Sequence, residues 1–211
     1  QYGFLVFAAN PAPTFNNISF TGVDLTNNAQ KGLYTERLNN ASFTDLTVTG
    51  NGSAAAAFMA GMDINLKYAA FSNISVTNSM FADNGLGDTN NQGVDLTIKV
   101  RNDGSYAGSP ATLTNLTVTK VVFGGTADVA MSLGNNLDEA TTAVNRNGFG
   151  GSNAAGLVVF GTPPAATINA TCNWWNAADG PSGVGPGSGN AVSANADFDP
   201  WLKSSDLNGP C

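Results

Sequence analysis

The sequence contains no histidine and few charged residues, and both absences narrow what the chain can do. Without histidine there is no Ser/His/Asp triad and no histidine-ligated zinc site. Charged residues make up 11% of the 211, well below the roughly 25% of an average soluble domain. The eight Lys and Arg residues are scattered and the net charge is −7, so the positive surface that nucleic-acid binding requires is missing. No apolar run reaches the roughly 18 residues of a membrane span, and we expect no membrane insertion.

Cysteine is also scarce, with Cys172 and Cys211 as the two in the chain. Their even number and the position of Cys211 as the last residue predict a disulfide that ties the tail to the body. Two unrelated thiols are the alternative. A disulfide suits an oxidising compartment, so we expect an extracellular or cell-surface location.

What the sequence does have is a repeat. A seven-residue pattern occurs as FNNISFT from Phe15, FTDLTVT from Phe43, FSNISVT from Phe71 and LTNLTVT from Leu113, at spacings of 28, 28 and 42. Between the copies lie segments such as GMDINLK (61–67) and GVDLTIKV (93–100), in which apolar and polar residues alternate. This alternation predicts strands with one buried face. Short repeated strands without crossover helices favour a solenoid of stacked coils, with a β-sandwich as the competing interpretation.

The segments NISFTGVDLTNNAQKGLY and NISVTNSMFADNGLGDTNNQGVDL resemble coils of right-handed parallel β-helix proteins of the pectin-lyase-like group. The tail, CNWWNAADGPSG followed by DFDPWL, resembles the closing segment of bacterial surface β-helix proteins. The resemblance covers about residues 15–202. It implies an all-β, right-handed parallel β-helix of about five to six coils with a C-terminal aromatic cap. The implied parts are a first strand or subunit-contact segment (1–14), the coils (15–171) and the capping segment (172–211).

Enzymes of that group, as the resemblance implies, carry Asp, Lys, Arg or His on one strand face, often with calcium. This chain lacks histidine and shows no dense aspartate cluster on one coil, so no catalytic set is carried over. Aligning the second strands by their sequence stacks Asp63 on Asp95 and Lys67 on Lys99. A carboxylate pair one coil apart can act on glycosidic bonds, and a nearby lysine can serve as a lyase base. The alternative is a solvated strand face whose charges offset one another.

The first strands predict an outward array of hydroxyls. Two columns are expected, formed by Ser19, Thr21, Thr47, Thr49, Ser75, Thr77, Thr117 and Thr119. Such an array resembles the ice-binding faces of β-helical antifreeze proteins, and it also suits a flat partner or a polysaccharide. Alternatively, Thr is simply favoured in exposed strands. The Asn or Asp of each copy (Asn17, Asp45, Asn73, Asn115) is expected to stack between coils and to satisfy turn backbone groups.

The C-terminal residues predict a cap for one end of the solenoid, formed by Trp174, Trp175, Phe198 and Trp201. Adjacent strand residues face opposite sides, so at most one of Trp174 and Trp175 can fill the core, and an exposed one beside Asp179 would make a sugar cleft. The carboxylates of Asp179, Asp197, Asp199 and Asp206 make Ca²⁺ a candidate ligand.

At the other end, the uncharged, β-prone segment YGFLVFAA has no visible cap. We expect it to be the first coil of a longer protein or to pair with another subunit, which in a head-to-tail arrangement gives a filament. The sequence therefore predicts an extracellular structural or adhesive protein, with a polysaccharide-binding or polysaccharide-cleaving protein (a lyase or glycoside hydrolase) as one alternative and an ice-binding protein as another.

Overall fold

The chain winds through three parallel β-sheets, A, B and C, visiting them in turn. The computed structural model describes residues 1–10, 15–161 and 167–211. From Phe4 to Phe149, successive strands along the chain belong to sheets A, B and C in turn, and each pairs in parallel with the equivalent strand of the next coil. Five complete coils, from Phe4 to Phe149, are followed by a sixth with strands on sheets A and B, and then by three short strands that extend sheets A and B further. This is the parallel β-helix that the repeats predicted, and its right-handedness stays a prediction.

The strands are numbered in chain order. Sheet A has eight strands: β1 (Phe4–Val6), β4 (Leu33–Thr35), β7 (Ala60–Leu66), β10 (Val94–Val100), β13 (Val129–Asn135), β16 (Ala155–Phe160), β18 (Pro181–Gly183) and β19 (Gly189–Val192). Sheet B has seven: β2 (Asn16–Thr21), β5 (Asn39–Thr44), β8 (Ala70–Thr77), β11 (Thr112–Thr119), β14 (Thr142–Asn145), β17 (Ile168–Asn169) and β20 (Ala196–Asp197). Sheet C has five: β3 (Asp24–Thr26), β6 (Thr47–Thr49), β9 (Met80–Ala82), β12 (Val122–Gly124) and β15 (Gly148–Phe149).

The only helical elements of the described residues are two 3₁₀ turns, Gly104–Tyr106 and Glu139–Thr141. Neither is long enough to cross a membrane, and no other described segment forms a membrane-spanning helix.

Left-handed residues make the corners between sheets. The corner from sheet B to sheet C has a positive φ in every coil, at Gly22, Asp45, Asn78, Lys120, Arg146 and Cys172. The corner that leaves sheet C uses Asn27, Gly50, Asp83, Gly125, Gly151 and Asn176. Gly, Asn and Asp tolerate this conformation best, which explains their abundance at the turns.

One predicted repeat copy is wrong. Asp45 turns the chain at a corner, so FTDLTVT is divided between β5 and β6 rather than forming one strand. The true second copy is NNASFT, β5 itself, which pairs with β2 and places Phe43 beside Phe20. Asn40 therefore takes the place expected for Asp45. The Asn side chains of β2, β5, β8 and β11 are then separated by 23, 33 and 42 residues.

The core contains a column of stacked aromatic rings that ends at the C-terminal cap. Phe81, Phe123, Phe149 and Trp175 lie one coil apart, with ring centroids separated by 5.6, 5.2 and 4.6 Å along the series. Trp175 is fully buried and is the last ring. The predicted disulfide is confirmed: Cys172 is bonded to Cys211 across a sequence separation of 39 residues. The capping segment also adds β18, β19 and β20 to sheets A and B.

At the corner where the chain enters sheet A, buried side-chain amides form a ladder between coils. The Nδ2 of Asn28 donates to Asn51 at 2.8 Å, and that of Asn51 donates to Asn84 at 2.9 Å. Asn84 in turn donates to Asp95 at 2.8 Å. Glycine beneath each amide leaves the necessary room, because a Cβ at Gly61 would lie 2.7 Å from the Cγ of Asn84.

Candidate functional site

The outward face of sheet A carries two buried ion pairs and an open groove. The pairing of the strands places one side chain of each coil in a single row, which runs Leu5, Tyr34, Asp63, Thr97, Ser132 and Val158. A neighbouring row includes Asn65, Lys99, Gly134 and Phe160. The first coils of this face are covered and the later ones form an open groove.

The predicted stack of Asp63 on Asp95 is wrong. Asp63 lies opposite Thr97, and Lys99 lies opposite Asn65 rather than Lys67. The core decides this register, because Met62 and Leu96 must share one apolar column. Asp95 consequently lies at the corner in the amide ladder, where it is fully buried. Nor do Asp63 and Lys67 belong to a solvated face, since both are buried.

Asp63 and Lys67 each belong to a buried ion pair in a cluster on β4 and β7. Lys31 Nζ lies 2.5 Å from Asp63 Oδ2, and Lys67 Nζ contacts Glu36 Oε1. Tyr34 donates its hydroxyl hydrogen to Glu36 at 2.7 Å. The cluster is thus internally paired.

The N-terminal segment covers this cluster. The rings of Tyr2 and Phe7 each lie 5.9 Å from the ring of Tyr34, and the Ala8 amide donates to Glu36 at 2.8 Å. Burial raises the pKa of Glu36, but hydrogen bonds from Lys67, Ala8 and Tyr34 outweigh it and hold that pKa below its ordinary value. Burial and the contact with Glu36 raise the pKa of Tyr34. The Glu36 carboxylate is therefore ionised, and it is buried together with its partners Lys67 and Tyr34.

Next to the cluster, an open groove of about 590 Å³ crosses β10, β13 and β16. Thr97, Ser132 and Val158 lie along its floor. Its lining is completed by Phe58, Gln92, Val94, Lys99, Arg101, Asp103, Val129, Asn135 and Phe160. Neighbouring strands are about 4.8 Å apart, so the groove runs for roughly 10 Å along the axis of the solenoid.

Phe58 forms one wall of the groove in a strained conformation. Its side chain is 54% exposed and its φ is 61°, which is uncommon for a bulky residue and costs about 1–2 kcal/mol. Asp88 holds this loop, since its carboxylate accepts hydrogen bonds from the amides of Met59, Asn90 and Gln92 at 2.9, 2.8 and 3.1 Å. Strain that the surroundings maintain is typical of binding sites.

Phe160 lies at the other end of the groove. Gly134 has no Cβ, and one placed there would meet the Phe160 ring at 2.4 Å. The ring therefore lies over Gly134 of β13, and it also lines the groove. Only glycine at position 134 permits this arrangement.

Two cations line the groove, and one of them supplies an unpaired positive charge in an acidic protein. Lys99 Nζ lies 5.5 Å from the centroid of the Phe58 ring, and no carboxylate of the described residues pairs with it. Arg101 makes two hydrogen bonds to Asp103, at 2.6 and 3.1 Å, and stacks on Tyr106 at 4.4 Å. Lys99 is thus the available charge, and Arg101 is held within the wall.

The predicted hydroxyl array is divided between two sheets. Thr21, Thr77, Thr117 and Thr119 lie on sheet B, as expected. Thr47 and Thr49 lie on β6 of sheet C, because the corner at Asp45 precedes them. Ser42 and Thr44 of β5 take their places beside Ser19 and Thr21.

The predicted cap residues surround the C-terminal end. Trp175 is buried on Phe149 and Trp174 is half-buried. Phe198 and Trp201 pack on the core with ring centroids 6.4 Å apart. Asp179 is exposed and accepts hydrogen bonds from the amide and hydroxyl of Ser188. In the part of the chain that the structure describes, no three His, Cys, Asp or Glu residues come together as metal ligands.

No family model, curated protein or solved structure matches this chain. Sequence reasoning missed Phe58, Phe160 and Asp88. Phe160 lies in the segment GLVVFG, two residues after Val158, a signal that could have placed both on the outward face. Phe58 and Asp88 lie in loops outside the repeated sequence pattern, so the pattern could not predict their positions.

Proposed function

We propose that this chain is an extracellular adhesive β-helix that binds a polysaccharide in the groove on sheet A. The observation that carries the proposal is the groove itself, in which two phenylalanine rings and a lysine surround a floor that contains the half-buried hydroxyl of Ser132. The disulfide supports the location, and the resemblance of the coils and tail to bacterial surface proteins of the pectin-lyase-like group is consistent with it.

The shape of the groove favours an extended sugar chain. Its direction along the solenoid and its length of roughly 10 Å suit about two sugar rings. Phe58 and Phe160 offer apolar surfaces for the faces of those rings. The half-buried hydroxyl of Ser132 donates to buried Thr97 at 2.7 Å and can accept a hydrogen bond from a sugar hydroxyl. Lys99 favours a sugar that carries a negative group.

The arrangement of carboxylates favours binding over cleavage. Asp63 is paired with Lys31 beneath the N-terminal segment, and Asp95 is buried in the amide ladder. Among the residues that line the groove, Asp103 supplies the carboxylate, and it is engaged by Arg101. The predicted pair for glycosidic-bond chemistry is therefore not assembled.

Replacing Phe58 with alanine is expected to weaken polysaccharide binding about tenfold, because it removes an exposed aromatic wall. A glycan array identifies the ligand, and calorimetry then measures the dissociation constant of each variant. Leu86→Ala is the matched control, since Leu86 is 56% exposed in a neighbouring loop and does not line the groove. Equal affinity of the Phe58→Ala variant and the unmodified chain would reject the groove as the site, and release of shortened oligosaccharides would show an enzyme instead.

We also propose that the chain self-associates through its N-terminal end. Strands β1, β2 and β3 each have a neighbour on one side only in the described chain. Phe4, Phe15 and Phe20 pack on the core there but are only partly buried, so this end presents both open strand edges and apolar surface. We expect light scattering to show a mass that rises with protein concentration and electron microscopy to show filaments. A constant monomer mass up to high concentration would contradict this.

A further inference from the structure

Sheet B presents a second extended surface, which the groove does not use. Its outward face has three side chains in each of four coils, from β2, β5, β8 and β11. One column consists of amides (Asn17, Asn40, Asn73, Asn115) and two consist of hydroxyls (Ser19, Ser42, Ser75, Thr117 and Thr21, Thr44, Thr77, Thr119). We call these twelve residues the hydroxyl–amide face.

Side chains within this face fix one another in place. Each amide is hydrogen-bonded to that of the next coil: Asn73 donates to Asn40 at 2.7 Å and Asn115 donates to Asn73 at 2.9 Å. Ser42 donates to Ser19 at 3.2 Å. Thr44 and Thr77 lie 3.1 Å apart. The polar groups are therefore ordered before any partner arrives, which reduces the entropic cost of binding.

The spacing of the face is regular in two dimensions. Neighbouring strands are about 4.8 Å apart, and alternate residues along a strand are separated by roughly 6.7 Å. The middle column continues without charge into β14 and β17, through Ala143 and Asn169, and ends at Asp197 of β20. The pattern thus covers a neutral surface at least four coils long in a chain whose net charge is −7.

We propose that the hydroxyl–amide face binds ice. Its partner must be neutral, because the face carries no charge, and must itself repeat in two dimensions. Water molecules at an ice surface meet both conditions, since each one donates and accepts hydrogen bonds at a fixed spacing, and Ser, Thr and Asn side chains can do the same. A crystalline polysaccharide also repeats, but the face contains no aromatic ring on which a sugar can stack.

A lysine in the middle column of the face tests the proposal. Thr117 is exposed, and a long charged side chain there interrupts the array without entering the core. We expect the unmodified chain to inhibit ice recrystallisation and to show thermal hysteresis, and Thr117→Lys to lose at least half of both activities. Thr26→Lys is the matched control, since Thr26 is an exposed strand threonine on sheet C, and it should retain full activity. Circular dichroism melting curves check that both variants are folded.

Absence of both ice activities in the unmodified chain would overturn the proposal. So would equal losses in Thr117→Lys and Thr26→Lys, because the activity would then not depend on this face. Sedimentation with crystalline cellulose or chitin completes the test: binding that Thr117→Lys abolishes would identify a polysaccharide as the occupant and reject ice. None of these outcomes depends on Phe58, so the groove is tested independently.

Discussion

Replacing Asp95 with asparagine is expected to stabilise the protein at neutral and alkaline pH. Asp95 is fully buried. One carboxylate oxygen accepts a hydrogen bond from Asn84, and the other has no partner among the described residues. Burial raises the pKa of Asp95 to about 7, against hydrogen bonds from Asn84 that lower it. The folded protein therefore pays for an uncompensated charge once this carboxyl ionises.

The direction of the pH dependence follows from this shift. An aspartate in the unfolded chain loses its proton near pH 3.8, whereas folded Asp95 keeps it up to about pH 7. The folded state binds more protons between these values, so stability falls as pH rises from about 4 to about 7 and stays lower above that. The full loss is on the order of 4 kcal/mol. Asparagine has no charge to bury and its oxygen keeps the bonds from Asn84, although its amide nitrogen would replace the unpartnered carboxylate oxygen, so we expect a gain of about 2 kcal/mol at pH 8.

Urea unfolding between pH 4 and pH 9 measures this effect. The unmodified chain should become less stable across the range, and Asp95→Asn should flatten the decline. Asp45→Asn is the control, because Asp45 is an exposed turn residue with positive φ that asparagine accommodates. If Asp95→Asn leaves the slope between pH 4 and pH 7 unchanged, the buried carboxyl is not its source.

Replacing Trp175 with alanine is expected to lower the free energy of unfolding by about 3–5 kcal/mol. Trp175 is the last ring of the core column, lies 4.6 Å from Phe149 and packs against Gly156. Its loss would open the core at the end that the tail covers. Trp174→Ala should cost clearly less, because Trp174 is half-buried. Urea unfolding at one pH compares the two variants, and equal losses would show that Trp175 does not close the core.

The coil architecture was predictable because its causes are local. The alternation of apolar and polar residues predicts the strands, and Asn, Asp and Gly, which tolerate a positive φ, mark the corners. The pair of cysteines, with Cys211 as the last residue, predicted the disulfide. The opposite orientation of adjacent strand residues predicted that only one of Trp174 and Trp175 fills the core. The second copy, FTDLTVT, was misplaced because it matches the sequence pattern, although the left-handed turn at Asp45 divides it between two strands.

The site was less predictable because register depends on contacts between coils. Asp63 and Asp95 occupy the same place in the sequence pattern, but the pairing of Met62 with Leu96 moves them apart. Phe58 and Phe160 are 102 residues apart in sequence and come to one groove only through stacking of the coils. Gly134, which makes room for Phe160, cannot be interpreted before that register is known.

Amide chemical-shift mapping with a bound oligosaccharide tests the groove most directly. The ligand is titrated into ¹⁵N-labelled protein, and the residues whose signals move are located on the three sheets. We predict that the largest shifts fall on Thr97, Lys99 and Ser132 of sheet A and on the loop that carries Phe58. Shifts confined to sheet B, sheet C or the C-terminal cap would contradict the assignment of this groove as the polysaccharide site.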